Sequence, residues 1–541
     1  MPLSRRLTIL GLALCFFGVA LAQNVPLDAL MRGGRIHYSG GRFERAREQF
    51  GQALDQYGGT ADAAAVSDIH VWLGLSCAQL RDFGPAAGHF GTAIALDSAA
   101  VERIAQDEQW QYWSWTALIN HARELYNSGV YDSSLHYSLS ALKVNPGKSG
   151  AYSLVANSYS ALEQYDEMLA TAQEMLKLNT DSPEGYSLIG LYYLQKPDSL
   201  WGDDMKAARW DSCGFYYDEA IDIYEERFAG TRKALGDTLR ISDPARLGEV
   251  AGALVTKSRA MNQEVLKKYI EDDLDAADKL AVVAQFAQQL FYAGNNLNVS
   301  SSRAGSAMLR AAAETGGEDG EAFRVRAESL FYKAMEYDPF DFTAMFNLGI
   351  AQYQAQNDSL SEKTFQQVID GTVVPLADLP GDWQQKLLDV ITEEMAETGY
   401  VQLDPATMAS VDSILALEDR MSGGFGWFYF PALRDRDEFA APTLDDAGDM
   451  FLSLQSPPAL ENVYLLLGVS RTSIGLSQEA DKKGSGKEML ERAIESLKSV
   501  LKLNPENAEA WQNLVHGYRE TGQQQKAVDA AEKYQKLTGG N

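Results

Sequence analysis

Apolar and small residues recur along this chain in pairs of helix-length stretches, and the pairs themselves repeat. Ala122, Ala156 and Gly190 lie 34 residues apart and then 34 again, each in a similar neighbourhood of aromatic and small residues. A fixed period in the thirties predicts stacked helix–turn–helix units. The best-formed unit runs from about Trp110 to Pro146. Its first helix is expected over Trp115 to Tyr126, and Asn127-Ser128-Gly129 breaks it. Tyr131 starts a second helix that carries Ser134 and Ala141 and stops at Asn145-Pro146. The small residues let two helices approach closely, while aromatics and leucines fill the gaps between them. Glycine supplies the turn, and proline cannot continue the helix.

The next unit, about Ala151 to Asn179, places Ala156, Tyr159, Tyr165, Ala172 and Leu176 in the same order. Two units precede: one with Gly34, Gly41, Phe43, Ala46, Phe50 and Ala53, the other with Leu73, Gly74, Phe83, Ala86, Phe90 and Ala93. Toward the C-terminus, Ala493, Leu497 and Asn504-Pro505 end one unit, and Trp511, Leu514, Tyr518, Gly522 and Ala527 form another. A middle match reads Ala327, Phe331, Ala334 and Asp338-Pro339, followed by Met345, Leu348 and Gly349. This pattern resembles the tetratricopeptide repeat family. The resemblance implies an all-α, right-handed solenoid of about eight or nine helical-hairpin units with insertions. It also implies a concave face that binds peptides or protein segments.

The expected organisation is a signal peptide at 1–22, an N-terminal repeat array at 23–294, and a polar, mobile insertion at 295–322. Central repeats follow at 323–370, then a non-repeat insertion at 371–459, then C-terminal repeats at 460–541. Lys196 to Trp210 splits one unit, and Gln478 to Lys487 forms a polar linker in another. Inserted segments in solenoids usually emerge on one face and often carry function.

Charge narrows the partners. The chain of 541 residues carries 47 Lys and Arg against 75 Asp and Glu, a net charge of −28. Phosphate binding needs clustered cations, so a chain this acidic is a poor candidate for nucleic acid or anionic lipid, and no nucleic-acid partner is expected. Solubility is the plain reading of the acidity; recruitment of cationic partners or metal ions is the sharper one.

The N-terminus reads as an export signal. Arg5 and Arg6 form a basic region, Leu7 to Leu21 is apolar apart from Thr8, and Ala20-Leu21-Ala22 supplies small residues for cleavage before Gln23. The apolar run is shorter than the roughly 20 residues that span a bilayer. No later stretch is long and apolar enough to be a membrane helix. The expected location is therefore exported: periplasmic, envelope-associated or secreted. Cleavage removes Cys15 and leaves Cys77 and Cys213 in separate repeats, where buried free thiols are expected.

A search for catalytic chemistry returns no site, cofactor or metal. The six histidines, His37, His70, His89, His121, His136 and His516, include no His-Glu-x-x-His pair. Gly147-Lys148-Ser149 matches only the end of a phosphate-binding loop; Leu142 stands where the first glycine belongs, so an inter-repeat turn is expected. Glu314, Glu318 and Asp319 read as a solvated loop, and Glu271 to Asp275 lacks the ligand spacing of a calcium loop. Asn298 and Asn357 open Asn-x-Ser glycosylation patterns.

Two candidate interaction surfaces remain. Carrying the family's concave face over unit by unit gives Arg32, Arg35, Tyr38, Trp72, Asn120, Arg123, Tyr126, Asn127 and Asn157. Such a set suits a carboxylate or a peptide backbone flanked by apolar contacts; Trp72 as core and Arg123 as a simple ion-pair partner are the competing readings. The second candidate is the run Phe425, Trp427, Phe428, Tyr429 and Phe430 beside Gly423, Gly424 and Gly426. It is either a short strand tucked against the repeats or a plug that docks a protein, a glycan or a membrane surface. The function expected is an exported adaptor that binds protein partners through its groove. The alternative is an outer-surface protein whose helical repeats support loops that bind glycans or other nutrients.

Overall fold

The computed structural model describes residues 25–257, 276–404, 407, 426–434, 439–480 and 486–539. The expected signal peptide, the acidic run 271–275 and Phe425 lie outside the described residues. The chain divides into two compact units, one ending at Leu200 and the other beginning at Trp201.

The first unit is built of helical hairpins. Its helices are α1 (Leu27–Ser39), α2 (Phe43–Tyr57), α3 (Ala63–Gln79), α4 (Phe83–Leu96), α5 (Ala99–Ala105), α6 (Glu108–Asn127), α7 (Tyr131–Val144), α8 (Ser149–Ala161), α9 (Tyr165–Leu178) and α10 (Pro183–Gln195). Several starts are fixed by side chains that satisfy the free backbone N–H groups of the first turn. Asp62 accepts from the Ala65 N–H, Asp107 from Gln109 and Trp110, and Ser182 from Gly185 ahead of Pro183. The Gly147-Lys148-Ser149 stretch leads into α8, with Lys148 at its N-cap.

Two internal distances recur. The residue with positive φ that closes each hairpin turn lies seven positions after the small residue of the first helix: Gly41 after Gly34, Arg81 after Gly74, Gly129 after Ala122 and Glu163 after Ala156. The packing partner lies sixteen positions after it. The rings of Phe50 and Phe90 fill the space left by Gly34 and Gly74, whereas the residues sixteen positions after Ala122 and Ala156 are the smaller Ser138 and Ala172, all four of them buried.

The second unit departs from that module before returning to it. Helices α11 (Asp203–Leu239) and α13 (Ala276–Thr315) run for 37 and 40 residues, with α12 (Pro244–Lys257) between them in sequence. They are followed by α14 (Gly317–Tyr337), α15 (Phe342–Gln354) and α16 (Asp358–Thr372). The stretch 295–322, expected to be a polar mobile insertion, is instead the end of α13 and the start of α14. Its small polar residues serve close packing: Ser300 and Ser301 are buried, and Gly305 sits against the Phe331 ring. Asn298 is buried as well and donates to Ala334 O at 3.2 Å and Asp341 Oδ2 at 2.9 Å, which excludes it as a glycan acceptor in the folded chain.

The non-repeat insertion contains a small sheet. Strands β1 (Val373–Pro375), β2 (Tyr400–Gln402), β3 (Trp427–Tyr429) and β4 (Phe451–Ser453) are antiparallel in the order β1-β4-β3-β2. Short helices α17 (Gly381–Leu388), α18 (Glu393–Thr398) and α19 (Pro431–Arg434) accompany it. Strands of three residues are too short to stand alone, and here both faces are covered. Phe428 and Phe430 pack with Leu376, Leu387, Leu388, Leu433 and Leu452 on one side. On the other, Tyr429 stacks on Phe451 at 4.8 Å and its hydroxyl donates to Gln455 O at 2.8 Å. Arg434 ties the insertion to the repeats by donating to Leu503 O at 3.1 Å and Lys502 O at 2.8 Å.

The C-terminal hairpins comprise α20 (Pro457–Ala480), α21 (Gly486–Leu503), α22 (Ala508–Glu520) and α23 (Gln524–Thr538). The earlier distances reappear. Gly349 lies sixteen positions before Phe365, whose ring fills its space, and seven before Gln356 with positive φ; Gly522 follows Val515 by seven. Buried Arg471 joins three helices here, donating to Glu362 at 2.9 Å and to Ser496 at 2.7 Å. Cys77 and Cys213 are both buried.

Candidate interaction surface

The first helix of each hairpin in the first unit carries the candidate residues at fixed places relative to its small residue. Arg35, Arg123 and Asn157 come directly after Gly34, Ala122 and Ala156; Tyr38 and Tyr126 come four positions after. Contacts between successive first helices show that these places share a face. Arg35 Nη2 donates to Asp68 Oδ2 at 2.8 Å, reaching from α1 to α3. Gln79 Nε2 donates to the Tyr38 hydroxyl at 3.3 Å, and three hairpins later Ser160 bonds to Gln195 from the equivalent positions of α8 and α10.

Arg35, Tyr38 and Trp72 are brought together. Phe50 stacks on Trp72 at 5.5 Å and 21°, while Tyr38 and Trp110 meet it edge-on at 5.4 Å and 4.6 Å. The Arg35 guanidinium sits 5.4 Å from the centroid of the same indole. Trp72 is therefore mostly core, with one polar neighbour. Burial pushes the Tyr38 hydroxyl above its ordinary range; the Gln79 hydrogen bond opposes this, and the charge of Asp107 adds to it.

Arg32 is exposed and pairs with Asp28 on its own helix. On α6, Arg123 Nη1 donates to Asn120 Oδ1 at 3.2 Å, and among the described residues Arg123 forms no ion pair. Tyr126 meets Tyr131 edge-on at 5.3 Å, Asn127 is exposed at the helix end, and Asn157 is half-buried on α8.

The aromatic run of the insertion lies elsewhere, in the second unit. Phe428, Tyr429 and Phe430 are fully buried, so these three rings hold the sheet together and offer no surface to a partner. Trp427 is half-buried against Tyr400 at 5.7 Å.

Sequence reading missed Asp68 and Gln79. The register could have found them: Asp68 stands six positions before Gly74 as Asp28 stands six before Gly34. It also missed the contact between His70 and His89, whose Nδ1 atoms lie 3.0 Å apart between α3 and α4. Burial holds His70 below its ordinary value; burial and the charge of His70 push His89 down to about 4.

Comparison with known proteins agrees with the hairpin geometry. A tetratricopeptide repeat family model matches residues 31–101. No curated protein matches the chain. Among solved structures, the MamA protein is 16% identical with a TM-score of 0.23, over 36% of this chain and 95% of that one. YrrB, described as a tetratricopeptide protein with an unusual peptide-binding site, is 14% identical with a TM-score of 0.25, over 50% of this chain and 90% of that one. A tetratricopeptide repeat protein from Parabacteroides merdae is 10% identical with a TM-score of 0.25, over 67% and 97%. The matched segment spans the first two hairpins and is similar to tetratricopeptide repeats there; its seven- and sixteen-residue spacings return in later hairpins of a mainly helical chain that also holds one small sheet.

Proposed function

We propose that this protein is a scaffold that captures an extended segment of a partner protein on the face formed by the first helices of its N-terminal hairpins. The observation that carries the reading is the cross-helix ladder of Arg35–Asp68, Tyr38–Gln79 and Ser160–Gln195. These contacts join polar and aromatic residues of neighbouring first helices, between α1 and α3 and again between α8 and α10. Arg, Asn, Gln and Tyr at such positions meet the backbone groups of an extended chain by directed hydrogen bonds and supply apolar contact beside them. Arg123 supports the reading, because its neighbour Asn120 leaves its charge unneutralised.

Capture is tested by replacing Arg123 and Tyr126 together with alanine. Helix content and melting should stay near wild type, and a partner that co-purifies with the wild-type chain should be lost. Retention of that partner would remove these residues from the site. The glycan- or nutrient-binding alternative drew on the aromatic run of the insertion, where Phe428, Tyr429 and Phe430 are buried and Trp427 is half-buried, while Phe425 lies outside the described residues.

Export belongs to the same proposal. The basic, apolar and small-residue succession over residues 1–22 supports it. The mature protein from the native host should begin at Gln23 by N-terminal sequencing; a mature chain that retains Leu7 to Leu21 would contradict export by cleavage.

A further inference from the structure

The face proposed above contains one position where the chain supplies its own ligand. The Trp72 ring has Phe50 stacked on one side and the rings of Tyr38 and Trp110 at its edges. The Arg35 guanidinium occupies a remaining approach, 5.4 Å from the ring centroid, and reaches Asp68 at 2.8 Å. A second carboxylate, Asp107, acts on the Tyr38 hydroxyl at the same cluster. An indole face backed by a carboxylate is a receptor for a cationic side chain. The pair is open to exchange, since the side chains of Arg35 and Asp68 remain 48% and 31% exposed.

We propose that Asp68 and Trp72 form a pocket for an arginine or lysine side chain of the partner, and that Arg35 holds this place in the free protein. The inference rests on the capture reading and names the partner's chemistry: a cationic extended segment. Charge complementarity points the same way, because a chain of net charge −28 attracts cationic segments over distance and repels acidic ones. The incoming cation displaces Arg35 from Asp68. Arg35 is thus a competitor for the site, and removing it should strengthen binding.

The test uses a fluorescein-labelled peptide of arginines spaced by Gly-Ser, with a glutamate peptide of the same length as control, and reads fluorescence anisotropy on the full mature chain. Wild type should bind the arginine peptide more weakly as salt rises and should leave the glutamate peptide unbound. Arg35→Gln should tighten binding by about 3- to 10-fold and Asp68→Asn should weaken it by a similar factor. Arg45→Gln removes the same charge from an exposed place on α2 and should change binding less than twofold. Circular dichroism confirms that each variant keeps its helices. If Arg35→Gln binds no more tightly than wild type, or matches Arg45→Gln, the competitor role is wrong. If Asp68→Asn binds as wild type does, the pocket is wrong. Either failure leaves capture on the Arg123 and Tyr126 surface standing, because that is read separately by loss of the protein partner.

Discussion

A Cβ added to Gly34 would lie 2.4 Å from the ring of Phe50, sixteen residues further on. Gly349 and Phe365 repeat the relationship at 2.6 Å. Alanine at either glycine gains about 1 kcal/mol of helix propensity but pushes apart two helices whose ring partner is fully buried. We expect Gly34→Ala and Gly349→Ala to lower stability by about 1–2 kcal/mol net in denaturant unfolding. The reciprocal change Ala156→Gly, where the residue sixteen positions on is the small Ala172, should cost only about 1 kcal/mol, the propensity term alone.

The turn that closes the hairpins, seven residues after the marked position of each first helix, makes a second prediction. Gly41, Gly129 and Gly522 adopt positive φ there, but Arg81, Glu163 and Gln356 hold the same conformation at 61°, 59° and 58°. A side chain in this region costs roughly 1–2 kcal/mol, and glycine gives back part of that in unfolded-state entropy. Arg81→Gly, Glu163→Gly and Gln356→Gly should each stabilise the chain by about 0.5–1 kcal/mol. A lowered melting temperature in all three would show that their side chains matter more than their backbone.

Acid should loosen the first unit. His70 and His89 are both harder to protonate when folded than when unfolded. As pH falls from 6.5, the unfolded chain takes up protons that the folded chain refuses until pH reaches about 4. Their contribution is therefore intact above pH 6.5 and is lost through that window. His89→Gln should flatten the decline of melting temperature between pH 7 and pH 5; an unchanged slope would remove the pair as its source.

Arg434 holds the insertion by hydrogen bonds to the last carbonyls of α21, at Lys502 and Leu503. Arg434→Ala should raise hydrogen exchange in β1 to β4 while the amides of α22 and α23 keep their protection. Equal loosening of both would mean that the insertion and the C-terminal hairpins open as one body.

Much of the repeat fold was legible because close helix contacts demand small residues at a fixed period. Gly34, Gly74, Ala122, Ala156 and Gly349 mark hairpins that the structure contains. The period fades after Gly190, where α11 and α13 extend to 37 and 40 residues and no longer obey a hairpin's length. The strand at Trp427 to Tyr429 was one of two readings of the aromatic run, but its three partner strands escaped because three residues are too few for alternation to register. Polarity misled at 295–322: Ser300, Ser301 and Gly305 are polar or small because a neighbouring helix and the Phe331 ring approach there. On the candidate face, Arg35, Tyr38 and Trp72 were readable from register; Asp68 and Gln79 also stand at fixed places in it, but their pairing with Arg35 and Tyr38 on the first helix of the preceding hairpin shows only in the fold.

The most direct test of capture places a photo-crosslinking amino acid at position 123 on α6 and, separately, at exposed position 45 on α2, in the chain expressed in its native host. The account predicts that irradiation joins a discrete protein to position 123 and not to position 45. Adducts at 45 with none at 123 would contradict it.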